Sequence, residues 1–150
     1  MDVVDRETRS RMMSGIGSKN TKPELLILKK LFSLGFRYRI NNTKLAGSPD
    51  IVLPKYHAVI FIHGCFWHGH DCELFRLPGT RTEFWKEKID INRSRDAKVL
   101  NQLHAESWRI CIVWECAIKG KPQLQIIDST INKIVEWLRS DQIWLELKRN

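Results

Sequence analysis

Residues 47–72, GSPDIVLPKYHAVIFIHGCFWHGHDC, contain two short apolar runs that decide the fold. Residues 50–53 and 58–63 have the length of β-strands, and a turn that contains proline separates them. The second run is continuously apolar, which is typical of a strand in the interior of a sheet. We therefore expect a sheet built on these two strands, with a polar and aromatic loop that leaves the second strand at His63.

On the N-terminal side, the sequence predicts one helix and one further strand. Thr21 and Glu24 have the spacing of a capping box at the start of a helix. Apolar residues then repeat at helical spacing over residues 25–32, and Gly35 ends the pattern. Residues 36–40 predict a strand that joins the sheet.

On the C-terminal side, the sequence predicts a long helix, a strand and a second helix. A second capping box, Thr80 to Glu83, opens a charged helix that reaches residue 105, with a break near Asn92 left open. Residues 109–114 predict a buried strand, and residues 124–138 carry an apolar stripe at helical spacing. The element order αβββαβα indicates an α/β fold with a mixed sheet flanked by helices.

Composition bounds the number of domains and the class of partner. The chain has 150 residues, of which 43% are hydrophobic, and this is enough for one core. We expect a single domain over residues 21–150, preceded by a basic, polar arm over residues 1–20. The formal charge of +8 favours nucleic acid as a partner through phosphate neutralisation. A solvated basic surface without such a partner is the alternative.

The sequence predicts neither a membrane span nor a secretion signal. No stretch reaches about 18 uninterrupted apolar residues, and the opening MDVVDRETRSRMM lacks an apolar signal-peptide core. We expect a cytoplasmic protein, and reducing surroundings favour thiolate chemistry over disulfides for its four cysteines. Cys111 lies in mid-strand, where we expect it to pack.

The other three cysteines and a histidine have positions that suit a metal site. Cys65, His70 and Cys72 form C-x4-H-x-C after one strand, and Cys116 follows the end of another. If those strands are neighbours, the four residues can hold tetrahedral zinc with no open position, so the ion would be structural. Two alternatives stay open: the cysteines are buried apolar residues, or His68 replaces His70 as a ligand.

Asp50 and His63 suggest a second metal-dependent site. Asp50 precedes one strand and His63 ends the next, so the turn between the strands brings carboxylate and imidazole close together. A carboxylate at a sheet edge can hold Mg²⁺ for phosphodiester hydrolysis, and a histidine can move the proton. The alternative is structural: Pro49 and Asp50 begin a turn, and His63 is a hydrogen-bonded histidine at a strand end.

Three of the aromatic residues have polar or basic neighbours. Phe66 and Trp67 lie between the candidate zinc ligands, and Trp85 lies in a helix start rich in Arg and Lys. Exposed aromatic side chains beside basic residues can wedge between bases or stack on them, and burial is the alternative for these three. For three other tryptophans we expect positions in the core: Trp108, Trp114 and Trp137.

Four segments, in this order along the chain, resemble the very short patch repair (Vsr) endonuclease family. They are TRSRMMSGI (8–16), residues 47–72 as quoted above, PGTRTEFWKEKIDIN (78–92) and RICIVWECAIKGK (109–121). Each segment alone is weakly specific, and their common order from about Asp5 to Lys121 makes the resemblance specific. It implies a restriction-endonuclease-like fold of the PD-(D/E)XK superfamily, in which histidines replace the usual second acidic residue and lysine.

The resemblance also implies roles for individual residues. Mg²⁺ is expected on Asp50 and on the backbone carbonyl of Ile62, with three further catalytic residues, His63, His68 and Glu24. Structural Zn²⁺ is expected on the cysteine and histidine cluster, Cys65, His70, Cys72 and Cys116. DNA contacts are expected from the intercalating aromatics, Phe66, Trp67 and Trp85. Further DNA contacts are expected from Met13 in the other groove, and from Lys88 and Asn92 at the mismatched pair.

Two departures from the family pattern bear on these expectations. The family typically has threonine where this chain has Ile62. Activity survives if this position binds metal through its backbone carbonyl, and is weakened if a hydroxyl is needed. The HGHDC run has fewer histidines than the same segment of some relatives, which affects the roles assigned to His68 and His70. Asp71 and Glu73 also make this loop more acidic than a loop that faces phosphate would be.

The function that the resemblance implies is strand-specific nicking 5′ of the thymine in T:G mismatches, which arise by deamination of 5-methylcytosine. We expect a monomer that acts on double-stranded DNA, with mismatch-repair proteins as further partners. Two alternatives stay open. One is a restriction or defence nuclease of the same fold that acts on paired DNA, and the other is a catalytically weak, zinc-stabilised DNA-binding module.

Overall fold

The sheet is built around the two strands that the apolar runs predict. The computed structural model describes residues 22–149, in which β2 (Ile51–Leu53) and β3 (Ala58–His63) pair antiparallel. A short 3-10 turn at Pro54–Tyr56 joins them, and His57 closes this turn in the left-handed conformation at φ 50°. Proline suits the start of the turn because its ring fixes φ near the required value.

Three further strands complete a five-stranded mixed sheet in the order β1-β2-β3-β4-β5. β1 (Arg39–Ile40) pairs antiparallel with β2, whereas β4 (Arg109–Trp114) and β5 (Trp144–Leu147) extend the sheet in parallel from β3. The full length of β3 pairs with β4, so that His63 lies opposite Trp114. The carboxyl ends of these two strands therefore lie side by side.

Helices cover both faces of the sheet. α1 (Lys22–Ser33) and α4 (Gln123–Leu138) pack on one face, and α2 (Thr82–Ala105) covers the other. A single helical turn, α3 (Glu115–Ile118), follows β4 directly. The predicted α/β class with a mixed sheet between helices is confirmed.

Successive side chains of β3 serve two separate cores. Ile60 packs with α1 and α4, whereas Val59 and Phe61 pack with α2. All three side chains are buried.

The first strand is shorter than predicted. Residues 36–40 predict a strand, but only Arg39–Ile40 pairs with β2. Phe36 and Tyr38 are buried, and the Tyr38 hydroxyl donates to the Leu28 carbonyl of α1 at 2.8 Å. Residues 36–38 therefore contact α1, and the pairing with β2 begins only at Arg39.

The long helix differs from its prediction at its start and in its middle. The predicted capping box is wrong: Arg81 occupies the N-cap at φ 56° without a side-chain cap, and the Thr82 hydroxyl donates to the Pro78 carbonyl at 2.7 Å. The helix continues through Asn92 without a break. β5 and α3 are additional to the predicted elements.

Some expectations fall on residues that the structure does not describe. The arm over residues 1–20, Met13 within it, and Thr21 of the first capping box all lie outside residues 22–149. Among residues 22–149, no helix is both long enough and apolar enough to cross a membrane.

Candidate active site and metal centre

The pairing of β2 with β3 places Asp50 and His63 on one face of the sheet. Ile51 pairs with Ile60 in the antiparallel register, and continuing this register by one residue sets Asp50 opposite Phe61. Side chains alternate along a strand and Phe61 packs beneath α2, so Asp50 and His63 also face α2. Oδ2 of Asp50 accepts a hydrogen bond from the Ile62 N–H at 2.7 Å, which holds the carboxylate at the sheet edge.

His63, His68 and Asp96 form a cluster beside Asp50. The two imidazole rings stack with centroids 3.8 Å apart and planes within 4°, and Nδ1 of His68 lies 2.6 Å from Oδ2 of Asp96. The three residues can bring ligand atoms within 4.8 Å of one another. However, parallel rings direct their in-plane lone pairs along separate planes, and Asp96 already engages Nδ1 of His68. The cluster is therefore better suited to proton transfer than to metal binding.

Burial keeps His63 neutral. Its side chain is 9% exposed, and burial is the largest cause that lowers the pKa of His63 from 6.5 to about 3. The neighbouring His68 also lowers this pKa, whereas Asp96 opposes the shift. His63 is therefore a neutral stacking partner for His68.

These residues line one cleft of about 360 Å³ between the sheet and α2. Asp50, His63, His68 and Asp96 border it, and Arg95 adds a guanidinium. Carboxylates, imidazoles and a cation therefore converge in a space that can admit a phosphate group. The predicted proximity of Asp50 and His63 is confirmed.

The loop before Asp50 requires a glycine where it passes α2. Gly47 has φ 73°, and a Cβ at this position would lie 2.5 Å from Cγ1 of Val99 and 3.3 Å from Cε1 of Phe61. A larger residue would be strained in its backbone and would collide with Val99 of α2.

The parallel pairing of β3 with β4 brings the four predicted metal ligands together. Cys65 follows β3, Cys116 lies in α3 after β4, and the intervening loop returns His70 and Cys72 to the same point. All four ligand atoms lie within 4.8 Å of one another. His70, and not His68, is the histidine of this cluster.

The spacing within the cluster fits zinc. Nδ1 of His70 lies 3.5 Å from Sγ of Cys65 and 3.6 Å from Sγ of Cys116. Zinc bonds of about 2.3 Å to sulfur and 2.0 Å to nitrogen, at a tetrahedral angle, separate the two ligand atoms by roughly 3.5 Å. Three thiols and an imidazole are also the donor types that zinc prefers.

Burial affects the ionisation of these ligands. It is the largest cause that raises the pKa of the Cys65 thiol to about 12, and it lowers the pKa of His70. Thiolates buried in this way need a cation to offset their charge. By contrast, Cys111 packs fully buried in the core of β4, as predicted, and burial raises the pKa of this thiol as well.

The three predicted intercalating residues form one aromatic cluster beside the metal centre. The ring centroids of Phe66, Trp67 and Trp85 lie 5.1 to 5.9 Å apart, and Trp67 is 48% exposed. Nζ of Lys88 lies 5.7 Å from the Trp67 centroid and 5.9 Å from that of Trp85, and Asn92 donates to the Trp67 carbonyl at 3.0 Å. The cluster thus presents an aromatic tip next to a positive charge.

The tryptophans expected in the core differ among themselves. Trp137 is buried, as predicted, but Trp108 and Trp114 are only half-buried. Trp114 stacks on His70 with centroids 4.0 Å apart and planes within 7°, and it lies edge-on to His63 at 5.3 Å. Trp108 and Trp114 both pack against the core beneath α2, as expected, and the ring of Trp114 also lies between the metal cluster and the histidine pair.

Asp96 is a site residue that the sequence analysis missed. It lies one helical turn after Asn92, on the face of α2 that Trp85 and Asn92 also use. A continuous helix would have predicted this position, whereas a break near Asn92 would not. Glu24 lies half-buried in the first turn of α1, the helix that covers the opposite face, so its supporting role stays a prediction.

Comparison with known proteins relates the chain to one group of nucleases. Residues 1–74 match the family described as DNA mismatch endonuclease Vsr. The chain is 42% identical over 137 residues to the DNA mismatch endonuclease Vsr of Escherichia coli (strain K12), which covers 91% of this chain and 87% of that protein. It is 44% identical to the type II nicking enzyme V.NmeAIP of Neisseria meningitidis serogroup A, over 92% of this chain and 96% of that enzyme. It is also 44% identical to the type II nicking enzyme V.XorIIP of Xanthomonas oryzae pv. oryzae, over 83% and 91% respectively.

Proposed function

Since this chain belongs to the Vsr family of DNA mismatch endonucleases, we propose that it nicks one strand of duplex DNA 5′ of the thymine in T:G mismatches, with Mg²⁺ as cofactor. The chain is an endonuclease, as its family and its relatives establish. The observation that carries the catalytic proposal is the His68–Asp96 pair, at 2.6 Å, in the same cleft as Asp50.

Asp50 and the backbone carbonyl of Ile62 are the proposed protein ligands of Mg²⁺. Within a β-ladder the N–H and C=O of one residue point to the same side, so the Ile62 carbonyl points to the same side as the N–H that donates to Asp50. The Ile62 side chain packs against the core on the opposite face. Two oxygen donors completed by water suit Mg²⁺, which when bound polarises the scissile phosphate and stabilises the leaving oxygen.

His68 is the proposed general base. Because Asp96 accepts the proton on Nδ1, the Nε2 lone pair of His68 is available to accept a proton from the attacking water. Neutral His63 supports the ring by stacking. Arg95 offers a guanidinium to the phosphate, and Glu24 is a supporting acidic residue.

Structural Zn²⁺ on the four-residue cluster is the second proposed metal. Its ligands are the residues whose spacing fits a tetrahedral ion, Cys65, His70, Cys72 and Cys116. With four protein ligands and no open position, the ion would fix the loop that carries the aromatic cluster. The mixed sheet with helices on both faces suits the restriction-endonuclease-like fold of the PD-(D/E)XK superfamily, which we propose for the domain over residues 21–150.

The aromatic cluster is the proposed device for mismatch recognition. Phe66, Trp67 and Trp85 would enter the duplex, where a mismatched step costs less to unstack than a paired step. The Lys88 ammonium beside these rings suits an approach to the polyanionic backbone. Asn92 and Lys88 would face the mismatched pair, and Met13 of the arm would enter the other groove.

The proposed setting is repair of 5-methylcytosine deamination in the cytoplasm. One active site in a monomer suits the cutting of one strand. Mismatch-repair proteins are proposed as further partners. The second candidate function is nicking of paired DNA in a restriction or defence context, which the type II nicking enzymes among the relatives favour.

A nicking assay on duplexes that differ at a single base pair separates these functions. The substrates are three end-labelled duplexes of about 20–30 base pairs, which carry T:G, C:G or T:A at the same position and are each tested with Mg²⁺ and with EDTA. Mismatch repair predicts a nick 5′ of the thymine in T:G alone, lost with EDTA and in Asp50→Ala. Equal cutting of all three duplexes would overturn the mismatch proposal, and undiminished Mg²⁺-dependent nicking by Asp50→Ala would overturn the metal assignment.

A further inference from the structure

The residues after β5 contact the cysteine cluster from both sides. The Arg149 peptide N–H donates to Sγ of Cys116 at 3.5 Å. The Arg149 guanidinium pairs with the Glu73 carboxylate and donates to the Lys119 carbonyl at 2.6 Å. Glu73 directly follows Cys72, and Lys119 directly follows the helical turn of Cys116. Arg149 therefore joins the two chain segments that supply the cluster.

β5 reaches a third member of the cluster by a separate route. Oε2 of Glu146 accepts a hydrogen bond from Nε1 of Trp114 at 2.6 Å. Trp114 stacks on His70 with planes within 7°. A ring held against the imidazole restricts its rotation, so Glu146 fixes the orientation of His70 through Trp114.

The charge of a filled cluster gives these contacts a function. Three thiolate charges against the two of Zn²⁺ leave the centre with net negative charge. The peptide N–H of Arg149 donates to one of these sulfurs, which stabilises such an anionic centre, and the guanidinium ties together the two segments that carry Cys72 and Cys116. As an exposed ion pair alone, the contact of Arg149 with Glu73 would contribute little.

We propose that the C-terminal segment, residues 144–149, is a clamp that retains the structural zinc ion, with Glu146 and Arg149 as its positioning residues. This inference rests on the zinc site of the proposed function. Residues that contact metal ligands in this way typically change metal affinity by about 10- to 100-fold. The clamp would account for the contacts that Glu146 and Arg149 make around a cluster from which they are distant in sequence.

Transfer of zinc to a chromogenic chelator, 4-(2-pyridylazo)resorcinol, tests the clamp without any activity measurement. Zinc content is first measured by atomic absorption on the purified proteins. Arg149→Ala should transfer zinc about tenfold faster than the wild type. Arg149→Lys, which keeps the charge but loses the forked contact, should fall between them. Glu146→Ala should also be faster.

Arg139→Ala is the matched control. It removes the same charge from an exposed arginine beyond the C-terminal end of α4, a helix about 24 Å long whose other end lies near Cys116. Its transfer rate should equal that of the wild type. If Arg149→Ala does not fold, the rates of Arg149→Lys and Glu146→Ala decide in the same way.

The two possible failures are distinguishable. Equal transfer rates for the wild type and the Arg149 and Glu146 variants, in protein that holds about one zinc per chain, would overturn the clamp and leave the zinc site intact. A folded wild-type protein purified without zinc would overturn the zinc site and the clamp together.

Discussion

The imidazole of His63 stacks on that of His68 at 3.8 Å, while the carboxylate of Asp96 contacts His68 from the edge of its ring. Burial lowers the pKa of His63 and keeps that ring neutral, whereas the ring of His68 has a carboxylate partner. The relationship makes the two histidines unequal although they lie only five residues apart, His63 at the end of β3 and His68 in the loop that follows.

Acid should destabilise the fold through His63. Its pKa is about 3 when folded and 6.5 when unfolded, so the unfolded state binds more protons and stability falls as pH drops from about 6.5 towards 3. Between pH 7 and 5 this one residue should cost about 2 kcal/mol of unfolding free energy. Urea unfolding at both pH values measures this loss of unfolding free energy. The loss between pH 7 and 5 should be smaller in His63→Phe, by the contribution of His63. Equal losses in the two proteins would contradict the assignment.

Asp96→Asn should lower the rate of nicking without weakening DNA binding. The amide cannot fix the His68 tautomer as a carboxylate does, so the single-turnover rate should fall by about 10²- to 10⁴-fold. Asp90→Asn removes an exposed carboxylate from the same helix and serves as the control. Band-shift titrations measure DNA binding separately. A nicking rate within threefold of the wild type would argue against the His68–Asp96 pair as the general base.

Ile62→Thr should leave nicking nearly unchanged while it reduces stability. The side chain packs on the face opposite the cleft, so the new hydroxyl enters the core rather than the metal site. Burial of that hydroxyl should cost about 1–3 kcal/mol in urea unfolding. A tenfold or greater gain in nicking would show instead that the hydroxyl acts in catalysis.

Trp67→Ala should weaken binding to T:G duplexes. Loss of stacking with one base costs about 1–3 kcal/mol, or a binding loss of about 5- to 150-fold. Leu124→Ala removes an exposed apolar side chain from α4, on the opposite face of the sheet from α2, and should bind as the wild type does. Equal losses in the two variants would mean that Trp67 has no special part in binding.

Cys72→Ala should remove zinc, whereas Cys111→Ala should keep it. Cys72 belongs to the four-residue cluster, and Cys111 packs in the core of β4. Zinc content by atomic absorption should fall well below about one ion per chain for Cys72→Ala and should remain at about one ion per chain for Cys111→Ala. The midpoint temperature of thermal unfolding should fall in both variants, because Cys72→Ala loses the metal and Cys111→Ala leaves a small cavity. Retention of zinc by Cys72→Ala would remove it from the ligand set.

The sequence predicted the elements whose apolar pattern is long and local. β3 and β4 are continuous buried runs, and α4 carries a regular apolar stripe, so their bounds match closely. β5 escaped prediction because Trp144 and Glu146 are exposed and the strand is only four residues long. β5 forms because the edge of β4 is available for pairing. That edge exists only in the folded sheet, so local sequence does not reveal it.

The site was predictable where ligands follow strand ends and unpredictable where partners come from distant elements. Parallel ends of β3 and β4 account for the meeting of Cys65 with Cys116. Asp96 and Trp114 required the position of α2 and the register of β4, which sequence periodicity does not specify. Arg149 required the path of the chain beyond an unpredicted strand.

The order in which the ligands occur along the chain has a consequence for synthesis on the ribosome. Cys65, His70 and Cys72 are translated together, but Cys116 follows only after the whole of α2 and β4. A nascent chain therefore carries an incomplete set of thiols until about three quarters of the protein has been made. The closed four-ligand site can therefore form only after β4 has been made and has paired with β3.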